Sequence, residues 1–161
     1  KISLIAISAS AILTLSILVL SGSVKFIPSQ IVPITGMIAG NAMTTIGLCY
    51  RNLNSLFRDQ RQQILEKLSL GANPNQASRT ILRETIKSGM QPSLDSAKTV
   101  GIVSLPGMMS GLMFAGTVPM TAIMYQIMVT FMLVAATSIS SYIASFLAYR
   151  EFYNDRQQLR V

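Results

Sequence analysis

The sequence predicts an all-α, polytopic membrane protein with four transmembrane helices and a two-helix cytoplasmic coupling loop. Two observations predict this fold class. Half of the 161 residues are hydrophobic and only 12% are charged, against about 25% in a typical soluble domain. The charges are also segregated, because 12 of the 19 charged side chains fall within residues 51–98 and none within 2–24, 26–50 or 99–149. Since a charge near the bilayer centre costs roughly 2.5–3.5 kcal/mol, the uncharged stretches are predicted spans.

The uncharged stretches divide into four crossings. Residues 2–20 would make a helix about 28 Å long, close to the thickness of the hydrocarbon core, and Ser21-Gly22-Ser23 ends it, which gives a first span near 2–21. Pro28 suits the first turn of a second span at 28–50. Residues 99–149 would extend about 76 Å as one helix, more than twice the membrane. They must therefore fold back, and the turn Gly116-Thr117-Val118-Pro119 gives spans at 99–116 and 119–149.

The distribution of Lys and Arg predicts the orientation. Eight basic residues lie in the 51–98 loop and three more in the 150–161 tail, whereas the other side carries Lys25. The positive-inside rule places the loop and the C-terminus in the cytoplasm. No basic segment precedes residues 2–20, so we predict a membrane span there and not a signal peptide. Residues 1–161 are predicted to form a single transmembrane domain, and the absence of an initial methionine suggests a trimmed chain.

The loop itself predicts two helices. Gly71 stands where a left-handed residue closes the first helix, and Asn73, Pro74 and Gln76 form the start of a second one. We expect Gly89 with Pro92 to end that second helix. The apolar residues of the first helix follow a 3.6-residue period: Leu53, Leu56, Phe57, Ile64 and Leu68. The residues of the loop are compatible with two interpretations. The two helices either lie on lipid headgroups or form a surface that docks another protein.

Several function classes are excluded by the residues present. The chain has no histidine and only one cysteine, Cys49, which excludes His-based catalytic triads and a disulfide framework. No Gly-x4-Gly-Lys-Ser/Thr loop occurs, so the chain cannot bind ATP by that route; no cofactor is predicted in this chain. The net charge of +7 sits at membrane edges, which argues against nucleic acid as a partner. A Ser/Lys hydrolase using Lys98 with Ser96 or Ser104 is an unfavoured alternative.

Polar and sulfur-containing side chains within the spans are candidates for a substrate pathway. Asn41 and Gln126 would be costly in lipid and therefore face protein or water. Pro106 predicts a kink beside a pathway or within a packed helix. Methionines offer soft ligands for a metal or flexible filling for the core, and the row at 120, 124, 128 and 132 drifts about 40° per step. The methionine candidates for the pathway are Met109, Met113, Met124 and Met128. The metal ligands themselves stay unknown.

Two Gly-x-x-x-Gly motifs lie inside predicted spans. Gly36 and Gly40 occur in the second span, and Gly107 and Gly111 in the third. Small residues four apart let two helix backbones approach closely in lipid. We therefore predict that these four glycines lie at helix-packing contacts.

Four long stretches of the sequence carry a resemblance to a known family. They are SGSVKFIPSQIVPITGMIAGNAMTTIGLCY, QILEKLSLGANPNQAS, DSAKTVGIVSLPGMMSGLMFAG and YQIMVTFMLVAATSISSYIASFLAYREFYNDRQQL. These stretches resemble the FetB-like iron-export permeases of ABC transporters, which are relatives of plant aluminium-tolerance permeases. The resemblance implies that the chain is the C-terminal, four-helix part of such a permease, in a bacterial inner membrane. It further implies export of iron, a separate ATPase subunit that binds ATP and Mg, and a second permease copy in a homodimer.

The resemblance also implies a role for the loop. In ABC permeases a coupling helix carries a Glu, then a Gly, then an apolar residue ten positions further on, and it docks into the ATPase. Glu66, Gly71 and Ile81 keep this outline here, although Glu66 and Gly71 are five residues apart and Arg83-Glu84 replaces the usual Leu-Pro. The predicted coupling residues are Glu66, Leu70, Gly71, Ala72, Ala77 and Ile81.

The leading hypothesis is therefore a transport subunit with no enzyme activity of its own. The predicted spans contain no Asp, Glu or His, so a free metal, a chelated metal or an organic solute is compatible with the residues. The alternatives are a permease for a non-metal solute, a membrane assembly fragment that does not transport, and the Ser/Lys hydrolase.

Overall fold

The computed structural model of the chain describes residues 2–20, 22, 28–100, 107–154 and 158–159. Within these ranges the structure contains helices and no β-strand, which confirms the all-α prediction. A 3₁₀ turn, Tyr149–Phe152, follows the last helix, and an isolated bridge joins Tyr153 to Leu159. The helices are α1 Ile2–Leu20, α2 Pro28–Asp59, α3 Arg61–Ser69, α4 Pro74–Thr99, α5 Gly107–Phe114 and α6 Pro119–Ala148.

Three helices in the described ranges are long and apolar enough to cross a membrane, namely α1, α2 and α6. They coincide with the predicted first, second and fourth spans. Within the described residues of the predicted third span, 99–116, lies α5, a helix of eight residues. Residues 101–106, with the expected kink at Pro106, lie outside the described residues. The third of the four predicted crossings therefore stays a prediction.

Helix α6 forms the centre of the bundle, where it contacts α1, α2, α4 and α5. Its buried side chains are mostly small, which lets the neighbouring backbones approach closely. The hydroxyl groups of Thr137, Ser140 and Ser141 donate to carbonyl oxygens of α6 itself, as where Ser140 Oγ donates to the Ala136 carbonyl oxygen at 2.8 Å. The buried small residues are Ala122, Ala136, Thr137, Ser140, Ser141, Ala144, Ser145 and Ala148.

Helix α2 continues without a break through the predicted membrane edge at residue 50. Its 32 residues reach Asp59, a length of about 48 Å at 1.5 Å per residue. One face is buried along the whole length because apolar side chains recur at helical spacing: Ile34, Ile38, Ala42, Ile46, Cys49, Leu53 and Phe57. The predicted first loop helix is thus the end of α2 followed, after Gln60, by the short α3.

The turn between α3 and α4 has the predicted geometry. Gly71 has a φ of +89°, and the N–H groups of Gly71 and Ala72 donate to the carbonyl oxygens of Leu68 and Lys67, both at 3.0 Å. These two bonds define a Schellman motif. The Asn73 N–H then donates to Gln76 Oε1 at 3.1 Å. A second left-handed glycine, Gly116 with a φ of +85°, forms the predicted turn before α6.

The expected end of α4 at Gly89 and Pro92 is wrong, because the helix continues to Thr99. Gly89 is buried against α2 and α6, so it permits close packing and does not terminate the helix. Pro92 removes one backbone donor, while the packing of α4 against α2 and α6 holds the helix together on both sides of it. Its last turns lie beside residues 41–48 of α2. The last residues of the predicted 51–98 loop therefore pack within the helix bundle and not outside it.

An aromatic cluster joins the predicted loop to the C-terminal segment. The rings of Phe57 and Phe152 stack with centroids 4.4 Å apart, and Tyr153 meets Phe57 edge-on. The hydroxyl groups of Tyr153 and Ser78 share a hydrogen bond. The chain after α6 thereby fastens α4 to the end of α2.

Candidate functional site

A cavity of about 310 Å³ lies among α2, α4 and α6. Polar side chains from all three helices line it beside apolar ones. In the described part of the chain, its wall contains no charged side chain. The polar residues of the wall are Asn41, Thr44, Thr45, Ser93, Ser96, Thr99, Gln126 and Thr130.

Gln126 is the most buried amide of this wall, with 8% of its surface exposed. Its Nε2 group donates to Thr130 Oγ1 at 3.4 Å, and the Thr130 hydroxyl donates in turn to the Gln126 carbonyl oxygen at 2.9 Å. The amide oxygen Oε1 has no hydrogen-bond partner among the described residues. Because a buried polar atom without a partner costs free energy, this oxygen indicates a place for a ligand.

Asn41 brings a second amide to the same cavity from α2. Its Nδ2 group donates to the Met37 carbonyl oxygen at 2.9 Å, which leaves the amide oxygen as the acceptor of the side chain. Asn41 and Gln126 are 85 positions apart in the sequence, and the packing of α2 on α6 brings both to one cavity. Both are among the pathway residues predicted from the sequence, and their role stays a prediction.

Helix α4 supplies the third wall, which the sequence analysis missed. Pro92, Ser93, Ser96 and Thr99 all line the cavity, but they fall at the end of a stretch that we predicted to be a cytoplasmic loop. A signal was present, since small hydroxyl residues at 93, 96 and 99 recur every three positions and share one face of a helix. This spacing places the three hydroxyl groups on one face only if α4 continues as a helix past Pro92.

The charged residues of this part of α4 point away from the cavity. Lys98 Nζ lies 3.5 Å from Asp95 Oδ1, and both side chains are mostly exposed. Gln91 Nε2 also donates to both oxygens of that carboxylate, at 3.0 and 3.1 Å. Lys98 therefore has a carboxylate partner, which is the ordinary arrangement of a lysine at a membrane edge. Ser104, the other proposed partner in a hydrolase, lies outside the described residues.

The turn between α3 and α4 is the second candidate site. Leu70, with 88% of its surface exposed, stands at its tip beside exposed Gly71, and Glu66 is exposed one turn earlier; Ala72 is half-buried. Ala77 and Ile81 are each 1% exposed and belong to the core. Of the predicted coupling residues, these two cannot form a contact surface and instead hold the turn in place.

Residues 1–153 match the model of the "Uncharacterised protein family (UPF0014)". The chain belongs to this family. Its relatives include proteins named as membrane proteins and as a permease, which confirms the family resemblance seen in the sequence. No solved structure matches the chain.

Three relatives of this UPF0014 chain are informative. It is 60% identical over 159 residues to "Probable iron export permease protein FetB" of Escherichia coli strain K12, a match that covers 99% of this chain and 61% of that protein. It is 36% identical over 156 residues to "Protein ALUMINUM SENSITIVE 3" of Arabidopsis thaliana, covering 97% and 57%. It is 37% identical over 158 residues to "UPF0014 membrane protein STAR2" of Oryza sativa subsp. japonica, covering 98% and 55%. The chain thus spans about three-fifths of their length.

The four pathway methionines do not line the cavity of this UPF0014 chain. Met113 and Met124 are exposed on the outside of the bundle, and Met109 and Met128 are half-buried. Along α6 the row of methionines passes from the surface to the core, since Met124 is 67% exposed and Met132 is 4% exposed. The 40° drift per step explains this change. The described residues contain no group of three or more His, Cys, Asp or Glu side chains that could hold a metal.

The four glycines that were predicted to lie at helix-packing contacts do not lie at such contacts between the described helices. At Gly36, Gly40, Gly107 and Gly111, an added Cβ would meet no atom within 4 Å. None of them therefore packs against another described helix of this UPF0014 chain. Among the glycines of the described residues, Gly89 permits a close helix contact, whereas its position was predicted to be a helix end.

Proposed function

We propose that this chain is the membrane-embedded part of the permease subunit of an ABC transporter that exports iron or a related metal. A separate subunit binds ATP and Mg and hydrolyses the ATP. The name of the Escherichia coli relative supports the direction and the substrate. The three helices of membrane length support insertion in the cell inner membrane. The stretch from Arg51 to the start of α4 and the C-terminus lie in the cytoplasm, as the Lys and Arg distribution indicates, while the last turns of α4 line the cavity.

The observation that carries this proposal is the course of α4. It is one continuous helix of 26 residues, about 39 Å long. At its start lies the exposed turn of Leu70 and Gly71, and at its end lies the cavity wall of Ser96 and Thr99. A partner that moves the turn therefore moves one wall of the cavity.

The proposed mechanism is alternating access driven through this helix. Closure of the ATPase subunits pulls the turn between α3 and α4, and α4 shifts along α2 and α6. Coupling requires that the ATPase bind the two positions of α4 with unequal affinity. The glycines at 36 and 40 stay open on the surface of α2 and offer a face where a helix of a second permease copy can approach closely.

The test uses the full-length permease with its ATPase subunit in proteoliposomes. Gly71→Pro fixes φ near −65° and removes the N–H that donates to Leu68. Iron transport and the permease-stimulated ATPase rate should both fall, at normal levels of the variant in the membrane. Gly116→Pro is the matched control, since Gly116 has nearly the same φ at the turn before α6; it should leave ATPase stimulation in place. Full stimulation and transport by Gly71→Pro would overturn the proposed coupling.

A further inference from the structure

We propose that the cavity among α2, α4 and α6 binds a divalent cation that keeps its shell of water, and that the wall contacts the coordinated waters and not the metal itself. This inference rests on the proposed function and names the form in which the metal is carried. It follows from the hydrogen-bonding character of the wall, its lack of charge and its volume.

Three of the six hydroxyl groups of the wall present acceptors to the cavity. Thr44, Thr99 and Thr130 donate their hydroxyl protons to carbonyl oxygens of their own helices, namely those of Gly40 at 3.1 Å, Asp95 at 3.0 Å and Gln126 at 2.9 Å. A hydroxyl has one proton and two lone pairs. With the proton used inside the helix, each oxygen can only accept a bond from a ligand.

The two amides add to this acceptor surface. Each NH₂ group carries two donor hydrogens and uses one of them within its own helix, Asn41 toward Met37 and Gln126 toward Thr130, so the amide oxygens are the acceptors that remain for a ligand. The oxygen Oε1 of Gln126 is buried and has no partner among the described residues. The wall therefore favours a ligand that donates hydrogen bonds in several directions, and water bound to a cation does so because the metal draws its electrons toward itself.

The absence of charged side chains from the described wall argues against direct coordination of the metal by the protein. Transition metals are held in proteins by imidazole, thiolate or carboxylate groups, and none of these lines the cavity in the described part of the chain. Mg²⁺ shows that a small divalent cation can keep several waters even at a site with one or two carboxylates. A wall of neutral oxygens offers less compensation than such a site, so the ion retains its shell.

The volume of the cavity suits such a complex. A water needs about 10–15 Å³ of the space open to a water-sized sphere, and the cavity has about 310 Å³ of such space. An ion with a complete first shell fits between α2, α4 and α6, and the remaining space allows it to enter and leave. A bare ion would touch only one side of the cavity.

The experiment measures Mn²⁺ binding to the full-length permease in detergent by electron paramagnetic resonance, without the ATPase. Cobalt(III) hexaammine is the competitor, because it has the size of a hydrated cation, presents N–H donors on all sides and does not exchange its ligands. We expect it to displace bound Mn²⁺. Gln126→Met, which keeps the length of the side chain but removes the acceptor, should weaken Mn²⁺ binding about tenfold. Gln62→Met, on the exposed face of α3, should have no effect.

Bound Mn²⁺ that resists the hexaammine complex would show direct coordination and overturn the inference. Absence of Mn²⁺ binding, or equal binding by the wild type and Gln126→Met, would overturn it as well. Failure of the proposed function has a different signature, namely the absence of ATP-driven metal flux when the ATPase subunit is added to the same permease. Binding without flux would therefore refute the transport proposal and leave the cavity assignment in place.

Discussion

Gly89 of α4 lies directly against the sulfur of Cys49 of α2. A Cβ added at Gly89 would collide with Cys49 Sγ, and it would lie 3.6 Å from both Ser141 Cβ of α6 and Thr45 Cγ2 of α2. The Cys49 thiol also faces the Thr85 carbonyl oxygen at 3.9 Å. Three helices therefore come closest at one residue without a side chain, one turn before the cavity.

Gly89→Ala should destabilise the bundle. Overpacking of a tight core costs about 1–3 kcal/mol, and the atom that must move here belongs to a short buried side chain. Thermal unfolding in detergent should show a lower midpoint than that of the wild type. The double variant Gly89→Ala with Cys49→Ala should recover most of the loss, since it removes the sulfur that the new methyl group meets.

The control for this prediction is Gly47→Ala. Gly47 is also a helical glycine, but an added Cβ there would meet nothing within 4 Å, so the higher helix propensity of alanine should leave the midpoint unchanged or raise it. Equal midpoints for Gly89→Ala and Gly47→Ala would contradict the close contact of α2 and α4.

Tyr153→Phe should loosen the C-terminal segment from α4. The Ser78 side chain is fully buried and shares its hydrogen bond with the Tyr153 hydroxyl, so the variant leaves a buried hydroxyl without that partner, at a cost of about 1–3 kcal/mol. Limited proteolysis should cut the tail faster than in the wild type. The variant Tyr153→Phe with Ser78→Ala should be less impaired, and unchanged cleavage of Tyr153→Phe would argue against the contact.

The same tyrosine predicts a dependence on pH. Burial raises the pKa of the Tyr153 phenol above its ordinary value of 10.0, and the hydrogen bond from Ser78 offsets part of that rise. A raised pKa in the folded state means that the neutral phenol stabilises the fold. This contribution is present below pH 10.0 and is lost as the pH rises through the raised value. The difference in stability between wild type and Tyr153→Phe should therefore narrow in alkaline solution, and a constant difference would contradict the burial.

Met132→Ala and Met124→Ala separate the packing role of the methionine row from a role in metal binding. Met132 is buried in contact with α1 and α2, whereas Met124 is exposed on the same helix. Truncating a buried methionine costs about 2–5 kcal/mol, and a surface truncation changes stability by about 0.5 kcal/mol or less. Only Met132→Ala should lower the unfolding midpoint. A loss of Mn²⁺ binding in Met124→Ala would show instead that the row holds the metal.

Local chemistry explains why the turns were predicted correctly. Gly71 and Gly116 were both placed from sequence, and both have positive φ, because a helix end depends on the few residues around it. The start of α4 at Pro74 follows from Asn73 and Gln76 in the same way. Such signals act within one turn of the chain, and they are complete in the sequence.

The candidate site was predicted only in part. Asn41 and Gln126 were recognised because a polar amide within a long apolar stretch is costly in lipid and therefore faces protein or water. The wall from α4 was not predicted, because Ser93 and Ser96 follow a proline and lie among charged residues, which obscured the three-residue spacing of the hydroxyl groups. Ala77 and Ile81 were placed on a docking surface, since their positions in the chain do not reveal that the end of α6 covers them.

The amino-acid sequence by itself determined that this protein is helical, that its apolar helices suit a membrane, and where its tight turns fall. Water and lipid act on each segment separately, so composition and charge order are sufficient for these features. Only the tertiary structure decided that α4 runs on past Pro92, that Gly89 lies against Cys49, and that three helices enclose a neutral cavity. These features depend on which faces of distant helices meet, and no single segment carries that information.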